Sequence, residues 1–342
     1  MKKLLNTLYV TTQGSYVSKK DGNVTVSVDK EIKCSLPVNM LEGIVCFGRI
    51  SCSPFLMELC AKNGILVSFV DEYTGRFLAR VQGTIHGNVM LRKEQYRQSD
   101  DIDISAKVAK SIVTAKVLNS RTVLLRFLRD CKEENIKIKQ AINTLGIIVD
   151  QITISTDLEV IRGYEGNAAR VYFEVFNDLI IMQKADFIFT DRNKRPPLDN
   201  INALLSFIYT IVLHDVVSAC ETVGLDSYVG FLHRDRSGRD SLALDLMEEF
   251  RSFLADRLVL SLINRLQVKP EGFTKRESGE VCMNEETRRT LLHAYQEKKK
   301  EEIIHPFINE KIKIGLIPYV QALLFSRYLR GDLDSYPPFI WK

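Results

Sequence analysis

Residues 230–251 read GFLHRDRSGRDSLALDLMEEFR, and the second half of this stretch decides how the chain is built. Ser241 suits a helix N-cap before the periodic apolar run Leu242, Leu244, Leu246, Met247 and Phe250. The pattern predicts one long helix over 241–266. With Asp245 at zero and about 100° per residue, Ser241, Glu248, Glu249, Ser252 and Asp256 fall within about 60° of it. Nearly everything else on this helix is apolar, which predicts a mostly buried helix with a narrow acidic stripe. Buried carboxylates are costly unless paired or metal-bound. His233 closes an apolar, strand-like run just upstream, and an arginine-rich loop joins it to the helix. A histidine and carboxylates facing each other across a basic loop suit a divalent metal that handles phosphate. A solvated groove, or pairing with arginines elsewhere, is the alternative reading of the stripe.

The rest of the composition bounds the possibilities. With 342 residues, 45% of them hydrophobic, the chain is long enough for two ordinary domains with real cores. The seven cysteines are scattered and form no CxxC pair, which fits a reducing cytoplasm and argues against a zinc ribbon or a disulfide scaffold. No N-terminal signal segment and no apolar run of membrane-spanning length is expected. The net charge of +4 is unevenly spread. Residues 165–265 hold 11 Lys/Arg against 15 Asp/Glu, and the remainder 36 against 28. A basic body with an acidic island suits a metal-dependent enzyme acting on nucleic acid.

Residues 1–86 read as a small β-rich domain. Asp21-Gly22 signals a hairpin, Ser53-Pro54 opens a short helix that Asn63-Gly64 closes, and Tyr73–Arg76 is another turn. From residue 87 to 342 helical periodicity dominates, over about 88–98, 104–131, 136–152, 165–184, 200–222, 241–266, 284–302 and 316–330, with Gly224 ending the fifth helix and a small hairpin around 273–283. The expected fold is therefore α+β in two domains, a β-sandwich followed by a larger all-α part.

A second acidic centre lies in Gly163-Tyr164-Glu165-Gly166, where two glycines suggest a tight entry into a helix beginning at Glu165. Together with Asn202-Ala203-Leu204-Leu205-Ser206, Gly230–His233 and the Asp245/Glu248 helix, this order and spacing resembles the CRISPR-associated spacer-acquisition integrase, the core adaptation protein of CRISPR systems. The resemblance covers essentially the whole chain, and the Arg-Pro-Pro run at 195–197 is similar to members from type I systems. It implies DNA cutting and joining with Mg²⁺ or Mn²⁺, held by Glu165, His233 and Glu248, with Asp245 as the accompanying acid. Many members carry aspartate where this chain has Glu248, so the resemblance leaves open which acid on that helix binds the metal directly; Glu248 is favoured.

The resemblance also implies double-stranded DNA as partner, a homodimer formed through the β-domain, and a small ferredoxin-like companion between two such dimers. Arg234, Arg236 and Arg239 stand beside His233 as phosphate clamps, with pairing to Asp235 and Asp240 as the alternative. Arg121, Arg126 and Arg129 either track a DNA backbone or line a solvated face. A non-catalytic scaffold that only holds DNA ends is the competing function.

Overall fold

The computed structural model describes residues 6–72, 77–81, 89–131, 135–194 and 196–341. The expected domain boundary at 86/87, the turn at 73–76 and Arg195 lie outside the described residues. The N-terminal part holds eight strands, β1 (Asn6–Val10), β2 (Tyr16–Lys20), β3 (Asn23–Val28), β4 (Glu31–Pro37), β5 (Leu41–Phe47), β6 (Ser51–Cys52), β7 (Leu66–Val70) and β8 (Phe77–Val81). They form two four-stranded sheets, ordered β1-β5-β7-β8 and β4-β3-β2-β6. Asp21 and Gly22 both take positive φ, 49° and 76°, and so close the β2–β3 hairpin as expected. Helix α1 (Pro54–Lys62) starts where Ser53 accepts from Leu56 N at 3.2 Å, and it ends at Asn63 and Gly64.

The three parallel strands of the first sheet, β1, β5 and β7, are largely buried on both faces, while its edge strand β8 is partly exposed. Ile44, Cys46 and Val67 point into a core shared with Val17 and Val24 of the second sheet and Leu56 of α1. Val45, Phe47 and Leu66 point the other way, into the main helical core, where Phe47 stacks on Phe207 at 5.5 Å. Strands β1, β5 and β7 run parallel and read as near-continuous apolar runs because neither face meets water.

The remaining helices are α2 (Val89–Asp100), α3 (Ile102–Asp130), α4 (Ile136–Ile154), α5 (Leu158–Glu174), α6 (Asn200–Val223), α7 (Ser241–Met247), α8 (Arg257–Asn264), α9 (Glu285–Lys300) and α10 (Ile317–Leu329). Two small hairpins interrupt them, β9 (Phe273–Lys275) with β10 (Val281–Met283) and β11 (Glu302–Ile304) with β12 (Lys311–Lys313). The second hairpin departs from the all-α expectation. Helix α6 begins at the N-cap Asp199 and ends at Gly224 with φ 85°. Contrary to the sequence reading, it is long and apolar enough to cross a membrane, but it forms the centre of the core, buried along most of its length.

Two helices differ from expectation where function is concerned. Helix α5 starts seven residues early because Asp157 caps it, accepting from Glu159 N and Val160 N at 2.7 and 3.0 Å. Glu165 therefore sits mid-helix, and Gly163 and Gly166 are interior glycines. The predicted 241–266 helix is broken. Asp240, not Ser241, occupies the cap position of α7. Glu248, Glu249 and Phe250 then donate to carbonyls three residues back, a tightened turn, and residues 251–256 widen into π-helix before α8.

Candidate metal and phosphate site

Gly230–His233 is a loop rather than a strand, and Asp245 shapes it. The Asp245 carboxylate, fully buried, accepts from Phe231 N (2.6 Å), Leu232 N (2.9 Å) and His233 N (2.9 Å). Its Oδ1 also lies 2.6 Å from His233 Nδ1. A carboxylate already accepting three N–H groups requires Nδ1 to be the protonated nitrogen. Nε2 is thereby turned toward Glu248, 3.9 Å from Oε1. Gly230 is needed for this approach, since a Cβ there would stand 2.9 Å from Asp245 Oδ2 and 2.8 Å from Ser241 Cβ. From the other side, Arg162 of α5 donates to Leu232 O at 2.6 Å.

Glu165 and Glu248 meet on one cation, the ammonium of Lys116 from the middle of α3. Lys116 Nζ pairs with Glu165 Oε1 and lies 2.8 Å from Glu248 Oε2. Arg251 pairs with the other Glu248 oxygen at 3.0 Å. Burial opposes ionisation of Glu248, but the charges of Arg251 and Lys116 outweigh it and hold the carboxyl down at about 2. Glu248 Oε2 is buried without a directed hydrogen bond beyond that ion pair. As the side chains lie, no three His, Cys, Asp or Glu groups among the described residues enclose an ion. The donor set nevertheless fits one: two carboxylates share a cation, and an imidazole nitrogen beside them is held by a carboxylate behind it.

The site opens into a cleft of about 430 Å³ lined by Lys116, Glu165, Arg170, Phe173, Arg192, Tyr209, Arg251 and Asp256. Arg192 is held there by Asn202 Oδ1 (2.6 Å) and Ser206 Oγ (3.1 Å), which gives the Asn-Ala-Leu-Leu-Ser segment of α6 its place in the site. Arg192 and Arg251 both lie over the Tyr209 ring, at 5.3 and 5.2 Å. The Tyr209 hydroxyl donates to buried Asp256 at 2.6 Å, whose carboxyl burial pushes up to about 6.

The profile of the family described as CRISPR associated protein Cas1 matches residues 8–297. The chain belongs to the Cas1 family. It is 51% identical over 344 residues, the full length of both chains, to CRISPR-associated endonuclease Cas1 1 of Chlorobaculum tepidum. It is 49% identical over 348 residues, again all of both chains, to CRISPR-associated endonuclease Cas1 2 of Rhodospirillum rubrum. Among solved structures, a Cas1 protein from Thermotoga maritima shares the fold with a TM-score of 0.81 at 20% identity, over 98% of this chain and 100% of that one. A casposase bound to integration product does so with 0.85 at 20% identity, over 99% and 95%.

This Cas1 fold brings Glu165, His233 and Glu248 together and puts Asp245 behind the histidine. It does not bring all the loop arginines in. Arg234 pairs with Glu159 at 2.9 Å, and Asp240 with Arg80 at 3.0 Å, so neither pairing expected within the loop forms. Arg236 and Arg239 carry no ion pair among the described residues. On α3, Arg121 donates to Ile142 O (3.1 Å), Arg126 lies over Trp341 (3.9 Å) and Arg129 pairs with Asp130 (3.2 Å), so at least the first two serve packing within the chain. Glu249 also leaves the stripe. It is buried against the C-terminal segment, accepting from Tyr336 Oη (2.6 Å), Phe339 N (2.7 Å) and Gln321 Nε2 (2.9 Å).

Sequence reasoning missed Lys116, Arg192 and Arg251. The signal for Lys116 was a single lysine within the apolar run Ser111–Leu118 of α3.

Proposed function

We propose that this chain is a metal-dependent DNA endonuclease and integrase of CRISPR adaptation. It would insert short DNA fragments into a repeat array through attack of a fragment's 3′-hydroxyl on a repeat phosphodiester. The observation that carries the reading is the meeting of Glu165 and Glu248 on one cation, with His233 Nε2 3.9 Å from Glu248, beside an arginine-lined cleft. Relatives named as endonucleases and a casposase bound to integration product support the same chemistry.

Glu165, Glu248 and His233 Nε2 would hold Mg²⁺ or Mn²⁺. Bound there, the ion supplies Lewis-acid polarisation of the scissile phosphate. Asp245 fixes the tautomer and direction of His233 and is a positioning residue, not a ligand. Arg251 and Arg192 line the cleft where an entering phosphate would be met, and Arg236 is exposed in the loop after His233, free to meet phosphate from there. Gly166 shares the cleft face of α5 with Ala169 and Arg170, and no atom stands within 4 Å of where its Cβ would be. Nothing inside the chain requires glycine there, which is the pattern expected if DNA passes close to the helix backbone.

The assembly in this reading follows the family. The β-rich part, to about residue 86, makes a homodimer, the helical remainder carries the chemistry, and a small ferredoxin-like companion joins two dimers in the cytoplasm. A Cas6-RT-Cas1–Cas2 complex contains a part of the same fold, with TM-score 0.84 at 23% identity over 100% of this chain and 36% of that one.

The test is strand transfer of a 3′-hydroxyl DNA fragment into a repeat-bearing plasmid with Mn²⁺, with and without the companion. Glu165→Ala, His233→Ala and Glu248→Ala should each abolish it while circular dichroism stays native. Metal-dependent transfer retained in all three sinks the assignment. A DNA-end scaffold without chemistry would instead bind in a salt-sensitive way and cut under no divalent metal.

A further inference from the structure

We propose that Lys116 is a built-in counter-ion standing where the metal goes, and that metal entry moves its amine into the adjoining cleft to meet DNA phosphate. The proposal rests on Glu165 and Glu248 being the metal-binding carboxylates. Glu165 lies on α5 and Glu248 just past the end of α7, and a single ammonium touches both. Two carboxylates that close repel strongly without a cation between them. Among the described residues Lys116 has no other polar partner, so its side chain is placed by these two charges alone.

The charge count gives the consequence. Glu165 and Glu248 are balanced by Lys116 and Arg251 before any ion arrives. A dication added to that balanced set leaves two positive charges uncompensated. Lys116 must withdraw, and the surplus is neutralised when DNA phosphates enter. There is space for the withdrawal, because Lys116 already lines the 430 Å³ cleft, and its four-carbon stem turns freely. Metal and DNA therefore strengthen each other's binding, and the ion alone is held weakly.

Mn²⁺ titration calorimetry on the full-length, DNA-free protein tests this. Removing a charge at contact distance should tighten Mn²⁺ binding of Lys116→Met by about tenfold or more, while Lys116→Arg, which keeps the charge, stays near the parent. Unchanged or weaker binding by Lys116→Met overturns the proposal. Glu248→Gln separates the two ideas: if it binds Mn²⁺ like the parent, the metal reading itself fails.

A second measurement needs no variant. Lys116 should resist acylation by an N-hydroxysuccinimide ester without Mn²⁺ and react with saturating Mn²⁺, read by mass spectrometry. Equal protection in both conditions overturns the proposal independently of whether Lys116→Met folds.

Discussion

Glu248 and Glu249 are adjacent, both buried, and chemically opposite. Glu248 faces Lys116 and Arg251, two cations, and its carboxyl is held down at about 2. Glu249 faces a tyrosine hydroxyl, an amide and a backbone N–H, all neutral, and burial pushes it up to about 8. The pair teaches that burial alone does not mark a functional acid. The partners' charge separates the two: neutral donors make a structural joint, whereas the cations beside Glu248 keep it ionised. The tightened turn at 248–250 helps this division, since its three residues per turn widen the step between neighbouring side chains to about 120°.

The largest effect should separate those two residues. Glu248→Gln is expected to lower strand transfer at least about a hundredfold, beyond the usual cost of losing an outer partner of a metal site. Glu249→Gln should instead lower stability by about 1–3 kcal/mol, because its amide brings two N–H donors where the protonated carboxyl brings one, against groups that already donate, with Mn²⁺ binding retained. Activity lost equally in both would erase the distinction.

Trp341, 5% exposed and lying between Arg126 and Arg257 at 3.9 and 4.3 Å, holds the neutral side. Trp341→Ala should cost about 3–5 kcal/mol in denaturant unfolding. A loss below 1 kcal/mol would show that the C-terminal segment is only lightly docked.

The pH dependence sharpens the contrast. A carboxyl raised in the folded state contributes stability at low pH that is lost as pH rises from its unfolded value of 4.5 to about 8. One depressed to about 2 contributes stability above 4.5 that is lost as pH falls through 2. Asp256 adds to the first limb only up to about 6. Between pH 6.5 and 8 the melting temperature should therefore decline in the parent and stay nearly flat in Glu249→Gln. A parallel decline in both would remove Glu249 as the cause.

The smallest expected effect is on the open face of α5. Gly166→Ala should raise stability by about 0.5–1 kcal/mol, the usual gain inside a helix, and yet reduce strand transfer. A gain in both would mean that DNA does not approach there.

Much of this was legible before the fold was known. The hairpin at Asp21-Gly22, the caps of α1 and the end of α6 follow from local chemistry that tertiary contacts left alone. Between Asp245 and Glu248 the resemblance favoured Glu248 and the residue pattern itself left the two open. The acidic stripe assumed a regular step of about 100°, and the tightened turn followed by π-helix breaks that step after Met247. The pair of glycines around Glu165 suggested a helix start, but the true cap, Asp157, lay about two turns earlier. Lys116 was hidden because its meaning depends on carboxylates from distant elements. No local pattern records that the C-terminal tyrosine, phenylalanine and tryptophan complete the surroundings of Glu249.

The tail also sets an order of events. Asn119 in the middle of α3 donates to Glu249 O (2.8 Å) and Phe339 O (2.9 Å) and accepts from Trp341 N (2.8 Å). The segment that carries Glu248 is thus braced by residues made more than two hundred positions after α3. Chains fold from the N-terminus as they are synthesised, so the β-sheets and α3–α6 are available before this brace exists. The segment that carries Glu248 therefore gains this brace only after residues 336–341 have been made. Protease protection of residues 248–256 across a series of C-terminal truncations is expected to arrive only when residues 336–341 are present.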